Sequence, residues 1–198
     1  VGGFGTSFRI CLGGESAILR TPLAGEHQAS NTATALAMLF AAGKAYYGGL
    51  SETAGALHAV RLPGRFHRWE AFIFDVAHNP DGARVLAATI EDVGVQRPLV
   101  TMLSVLGGRD CVGEKENLAR VTDRFVLTNA PTAPTSRAWS LDAALAYAQS
   151  RGWDATAEPD FDRALEASRG EGATVLVTGS FHTVGDAMAR LQVDPLKG

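Results

Sequence analysis

Short apolar runs alternate with polar, glycine-bearing breaks along this chain, and the period of the apolar positions changes at about residue 63. Before that point, residues 4–12 and 17–23 read as two strands joined at Gly13-Gly14-Glu15, a hairpin signal. A polar loop over 24–31 leads into an Ala- and Leu-rich helix over 32–47, which Gly48-Gly49 stops. Ser51 is the expected cap of a short helix running to about Val60. The turn Arg61-Leu62-Pro63-Gly64-Arg65-Phe66 then breaks the pattern, because Pro-Gly favours a reversal. A domain boundary is expected here, giving residues 1–62 and 63–198, with Arg65 at a hinge.

Beyond the boundary the pattern is βα. Strands are expected over 66–70, 71–76, 99–105, 124–128, 154–157 and 173–177. Between them the pattern predicts helices over 80–93, 114–121, 141–150 (capped by Ser140), 161–168 (capped by Asp160) and 183–191. Val85, Leu86, Ile90 and Val93 give the first of these an apolar face. The alternation predicts an α/β fold, a doubly wound, mostly parallel sheet with flanking helices.

One stretch concentrates the chemistry. In Phe72-Ile73-Phe74-Asp75-Val76-Ala77-His78-Asn79-Pro80 a buried strand ends in an acid, and a helix opens at Pro80 with Asn79 as its cap. Asp75 and His78 are thereby placed at the carboxyl end of a strand, where open α/β sheets bind ligands and a helix end favours anions. Capping alone explains an acid and a histidine here equally well. His27, Gln28 and Asn31 precede the first long helix. Capping is the plainer reading of them, and Asn31 is the best ligand candidate because its amide both donates and accepts. Arg65 is either an exposed hinge residue or a fork-shaped phosphate ligand. Ser180, in Thr178-Gly179-Ser180-Phe181-His182, suits capping more than holding a carboxylate.

Composition narrows the classes. Hydrophobic residues make up 46% of the 198 and charged residues 20%, which fits a globular protein with ample core. The net charge of −3 and scattered aromatics leave no basic, base-stacking field for nucleic acid. No apolar run is long enough to span a membrane, and no signal peptide is visible. Cys11 and Cys111 lack metal-ligand spacing and read as reduced thiols of a cytoplasmic protein, with a disulfide as the lesser alternative. Gly2, Gly3 and Gly5 open a dinucleotide loop that fails at Phe8. A serine hydrolase elbow around Ser180 would need glycine at Thr178 and His182. The start at Val1, directly in strand-like sequence, points weakly to a piece of a longer protein.

Gly25-Glu26-His27-Gln28-Ala29-Ser30-Asn31, Leu62-Pro63-Gly64-Arg65-Phe66, Phe74-Asp75-Val76-Ala77-His78-Asn79-Pro80 and Val177-Thr178-Gly179-Ser180-Phe181 together resemble the folylpolyglutamate synthase/dihydrofolate synthase family of the Mur-ligase superfamily. Order and spacing match over nearly the whole chain. The resemblance implies that residues 1–62 are the end of a P-loop ATPase domain, a hairpin plus helices, and that 63–198 are the Rossmann-like glutamate-ligase domain. It implies ATP-dependent amide formation: a carboxylate of dihydropteroate or a folate becomes an acyl phosphate, and L-glutamate attacks it.

On the same resemblance Asn31, Arg65, Asp75 and His78 bind ATP, His78 and Ser180 hold glutamate, and Asp75 and His78 are the catalytic pair. ATP and Mg2+ are the implied cofactors. No metal ligands are assigned within this sequence, and the full-length enzyme is expected to be a monomer. No G-x-x-x-x-G-K-[ST] occurs, since Gly43-Lys44-Ala45 lacks the preceding glycine, so the chain alone is expected to be inactive. Where the family carries an Asp-Lys-Asp run, this chain reads Gly107-Gly108-Arg109-Asp110, and Arg109 keeps the charge but not the geometry. A cell-wall Mur-type ligase and a non-catalytic Rossmann-like module are the competing readings.

Overall fold

The computed structural model describes residues 5–107 and 111–195, excepting the side chain of Cys111. Arg109 and Asp110, in the expected loop after the third strand set, lie outside the described residues. The chain divides into two units, Val1–Leu62 and Pro63–Gly198.

In the first unit, β1 (Thr6–Leu12) pairs antiparallel with β2 (Glu15–Thr21). Gly13 and Gly14 form the two-residue turn at φ 59° and 84°, a left-handed pair that side chains resist. Two helices follow, α1 (Glu26–Ala42) and α2 (Leu50–Leu57). Helix α1 begins six residues before the expected start at Thr32, so His27, Gln28 and Asn31 are helical, not in a loop. Gly25 makes the break at φ 102°, and Glu26 sits in the first turn, where a carboxylate suits the positive helix end. Polar composition suggested a loop, yet the same residues serve an early helix turn equally well. Ser51 is inside α2 and not its cap. Gly49 takes that position at φ 111°, and the Glu15 carboxylate accepts from the Leu50 N–H at 3.2 Å. Ile10, Leu19, Leu36, Leu50 and Leu57 form the core of this unit.

The second unit carries a six-stranded sheet. Its strands are β3 (His67–Trp69), β4 (Phe72–Phe74), β5 (Leu99–Leu103), β6 (Arg124–Leu127), β7 (Ala155–Ala157) and β8 (Thr174–Thr178). Their spatial order is β3-β4-β8-β5-β6-β7, with β3 antiparallel to β4 and every other pairing parallel. The helices are α3 (Pro80–Val93), α4 (Cys111–Ala119), α5 (Leu141–Ser150), α6 (Phe161–Ser168) and α7 (Phe181–Arg190). The mostly parallel, helix-flanked architecture expected from the alternation is present.

Register explains the core. Phe72, Val175 and Val100 lie side by side, as do Phe74, Val177, Met102 and Val126. Both rows pack against Phe161, Ala164 and Leu165 of α6 and Val184, Ala187 and Met188 of α7. Ile73, Leu176, Thr101 and Phe125 make the alternate row and point to the opposite face. Both faces being covered accounts for the unbroken apolar runs of the central strands.

The caps follow the sequence where the capping residue is polar and placed just before an apolar period. Asn79 Oδ1 accepts from the Gly82 N–H at 2.7 Å, Ser140 Oγ from Ala143 at 3.2 Å, and Asp160 Oδ1 from Asp162 and Arg163. Among the described residues no helix is long and apolar enough to cross a membrane.

Candidate functional site

The carboxyl ends of β4, β8 and β5 are adjacent because β8, last in sequence, inserts between the other two. Backbone bonds continue the pairing past the strands. The Asp75 N–H reaches Val177 O, Gly179 N–H reaches Ala77 O, and Ser104 N–H reaches Thr178 O. Gly179 is required at this crossing. Its φ is 106°, and a Cβ there would lie 2.5 Å from Ser104 O.

Asp75 ends β4 and works on two neighbours at once. Its Oδ2 accepts from the Phe66 N–H and its Oδ1 from the Ala77 N–H, each at 2.9 Å. Phe66 is a buried aromatic held at φ 49°, in the left-handed region that a bulky residue resists. The carboxylate therefore ties down a strained turn. Gly64, at φ 69°, completes it: Val76 N–H bonds Gly64 O at 2.9 Å, and a Cβ on Gly64 would come within 2.8 Å of Val76 Cγ1. Burial pushes the Asp75 carboxyl above its usual range. The two backbone donors and the nearby Arg65 guanidinium act in the opposite direction but do not offset it. Arg65 itself is exposed.

His78 lies three residues on. Its Nδ1 is 2.9 Å from Val76 O, and its ring meets that of Phe181 at a centroid separation of 5.5 Å. A carbonyl only accepts, so Nδ1 carries the proton and Nε2 is the acceptor nitrogen of the neutral ring. Ser180, only 2% exposed, is the N-cap of α7. Its Oγ accepts from the Thr183 N–H at 3.1 Å and lies 2.6 Å from Thr183 Oγ1, which in turn donates to Ser104 O. Helix α7 thus starts two residues before the expected Thr183, because Ser180 supplies the cap directly after β8.

The sequence-derived residues fall into three places. His78 and Ser180 line one cavity of about 130 Å³ with Leu106, Gly179, Phe181 and His182. Asp75 and Arg65 are linked at the turn around Phe66 and do not line that cavity. Asn31 belongs to the first unit, exposed in α1, where its Nδ2 donates to Gln28 Oε1 at 3.2 Å.

A group not singled out from the sequence stands beside the cavity. Thr132, in the loop after β6, donates from Oγ1 to the Asp186 carboxylate at 3.1 Å and lies 3.0 Å from His182 Nδ1. Its backbone N–H also reaches Asp186 Oδ2 at 3.0 Å. The available signal was the four-residue spacing of His182 and Asp186, which puts both on one face of a helix.

Charged and polar groups also decide what this chain can hold. Among the described residues no group of three or more His, Cys, Asp or Glu side chains is placed to hold a metal ion. The exposed Arg65 fork fits phosphate oxygens.

Comparison with known proteins agrees with this architecture. The family model "Mur ligase, glutamate ligase domain" matches residues 64–181. A dihydrofolate synthase/folylpolyglutamate synthase of Mycobacterium tuberculosis is 34% identical over 209 residues, covering 93% of this chain and 42% of its own length. The crystal structure of a Mycobacterium tuberculosis folylpolyglutamate synthase complexed with ADP and AMPPCP superposes with a TM-score of 0.79 at 30% identity, covering 95% of this chain and 48% of that one. A bifunctional folylpolyglutamate synthase/dihydrofolate synthase with Mn, AMPPNP and L-glutamate bound gives 0.74 at 28% identity, over 92% and 44%. The chain thus spans less than half the length of these relatives. With the glutamate-ligase model covering most of its second unit, it belongs to the folylpolyglutamate synthase/dihydrofolate synthase family of Mur-type ligases.

Proposed function

We propose that this chain is part of an ATP-dependent amide ligase that joins L-glutamate to dihydropteroate or to a folate through an acyl phosphate. Residues 1–62 are the end of its ATPase domain and residues 63–198 its glutamate-ligase domain. The observation that carries this is the small cavity at three adjoining strand ends, lined by His78, Ser180 and the start of α7. Its volume of about 130 Å³ suits the head of an amino acid and is well below the ~300 Å³ at which pockets for larger ligands begin. A relative of the same fold holds L-glutamate together with AMPPNP and Mn.

In this reading Arg65 and Asn31 contact ATP, the guanidinium at the phosphates and the amide elsewhere on the nucleotide. Asp75 acts on the ATP side by holding the Arg65–Phe66 turn in place. His78 faces glutamate, and Ser180 fixes the α7 terminus against which glutamate is held. ATP brings the phosphoryl group that activates the carboxylate. This chain's own residues bind, orient and exclude water, and close positioning of the two reactants supplies much of such a rate.

The full gene product, supplied with ATP, L-glutamate and either dihydropteroate or tetrahydrofolate, is expected to release ADP and phosphate and to form the glutamylated product. His78→Ala and Asp75→Ala are each expected to lose most of that turnover. No product from either acceptor, or wild-type rates in both variants, overturns the assignment. The 198-residue chain by itself is expected to turn over no ATP, since its sequence holds no phosphate-cradling loop.

A further inference from the structure

The Thr132 hydroxyl has a single proton, and it goes to the Asp186 carboxylate. Its contact with His182 Nδ1 at 3.0 Å must therefore run the other way, with the ring donating. That assignment makes Nε2 the acceptor nitrogen of neutral His182, as the Val76 carbonyl does for His78. Both imidazoles line the same cavity. The positive end of α7 opens into the same space and favours a carboxylate. An amino acid presents that pair of charges: a carboxylate and an ammonium.

We propose that His182 is a catalytic residue that takes a proton from the α-ammonium of the incoming amino acid, and that Thr132 and Asp186 are its positioning residues. This rests on the glutamate-ligase reading above. An ammonium has no lone pair and cannot attack. One N–H bond breaks, its proton moves to His182 Nε2, and the electron pair stays on nitrogen. The nitrogen then bonds to the acyl carbon, the C–O bond to phosphate breaks, and the departing phosphate takes the second proton. His182 returns its proton to solvent.

Asp186 is suited to support the imidazolium. It is 5% exposed, on the same face of α7, and joined to the ring through one hydroxyl. Arg190 lies beside it, its guanidinium bonding Asp186 O at 3.3 Å and pairing with Asp162. Tying Thr132 by both its N–H and its hydroxyl holds the whole group to the end of β6.

The test compares two nucleophiles in the full gene product. Hydroxylamine is already neutral at pH 7 and traps an acyl phosphate without needing a base, whereas glutamate arrives as an ammonium. His182→Gln is expected to lower kcat/KM for glutamate by roughly 100-fold or more, so that the ratio of glutamate-dependent to hydroxylamine-dependent rates falls by a similar factor. Thr132→Val is expected to lower the same ratio to a smaller extent, and Thr132→Ser to restore it. An unchanged ratio in His182→Gln, or equal loss with both nucleophiles, overturns the inference while leaving the ligase assignment standing. An inactive wild-type protein overturns the assignment itself.

Discussion

The two units of this chain bury their apolar residues to different degrees. In the second, α6 and α7 close over Phe72, Phe74, Val175, Val177, Met102 and Val126, and the central strands are almost wholly sequestered. In the first, two short strands and two helices share a core of five leucine and isoleucine side chains, while Ile18, Met38, Leu39, Phe40 and Tyr46 stay exposed. Ile18 and Met38 are each 69% exposed. A sheet covered on both faces supplies its own core, whereas a hairpin with two helices has too little surface to cover what it carries. This supports the proposal that residues 1–62 complete a larger ATPase domain, whose remainder covers those side chains.

The comparison can be broken by unfolding. All three tryptophans, Trp69, Trp139 and Trp153, belong to the second unit, so their fluorescence reports on that unit alone. Phe74→Ala removes a fully buried ring and is expected to cost about 3–5 kcal/mol. The tryptophan transition in urea should move to lower denaturant accordingly. Leu36→Ala is expected to cost about 2–5 kcal/mol in the first unit and to shift the far-ultraviolet dichroism there, with the tryptophan transition unmoved. A single coincident transition shifted equally by both variants would show that the units fold as one.

Smaller effects sharpen it within the second unit. Asp75→Ala leaves the Phe66 and Ala77 N–H groups without their acceptor and is expected to cost about 1–3 kcal/mol, seen as a lower midpoint in urea. Loss of turnover in that variant is thus accompanied by a measurable loss of stability.

The smallest expected effects are on pH dependence, and they run in opposite directions. Asp75 holds its proton more tightly when folded, so stability falls as pH rises above about 3.9 toward the raised value, and Asp75→Asn removes that slope. Burial lowers the affinity of His67 for its proton, and among the described residues its Nε2 has no hydrogen-bond partner. Its stability contribution is intact above about pH 6.5 and is lost as pH falls through that value toward the lowered one. His67→Phe should flatten the acid side of the stability curve. A curve unchanged by either substitution would remove both groups from the account.

Local rules were legible wherever one residue type does one local job. Asn79, Ser140 and Asp160 cap as their side chains dictate, and Pro80 opens α3. The same rules misplaced the start of α1, because Gly25 and the polar turn after it suit a loop and an early helix turn alike. They also placed the last helix at Thr183, one cap too late.

What the sequence by itself determined was the βα alternation, the family resemblance carried by its motifs, and the placement of Asp75, His78 and Ser180 at strand ends. Only the tertiary structure decided that Asp75 clamps Phe66 and lies outside the cavity shared by His78 and Ser180. It alone set Thr132 between His182 and Asp186, across fifty and fifty-four residues of sequence. Caps and strand runs are short-range and show in neighbouring residues. The partner of a carboxylate or an imidazole depends on which strand inserts between which, and here β8 enters last and at the centre.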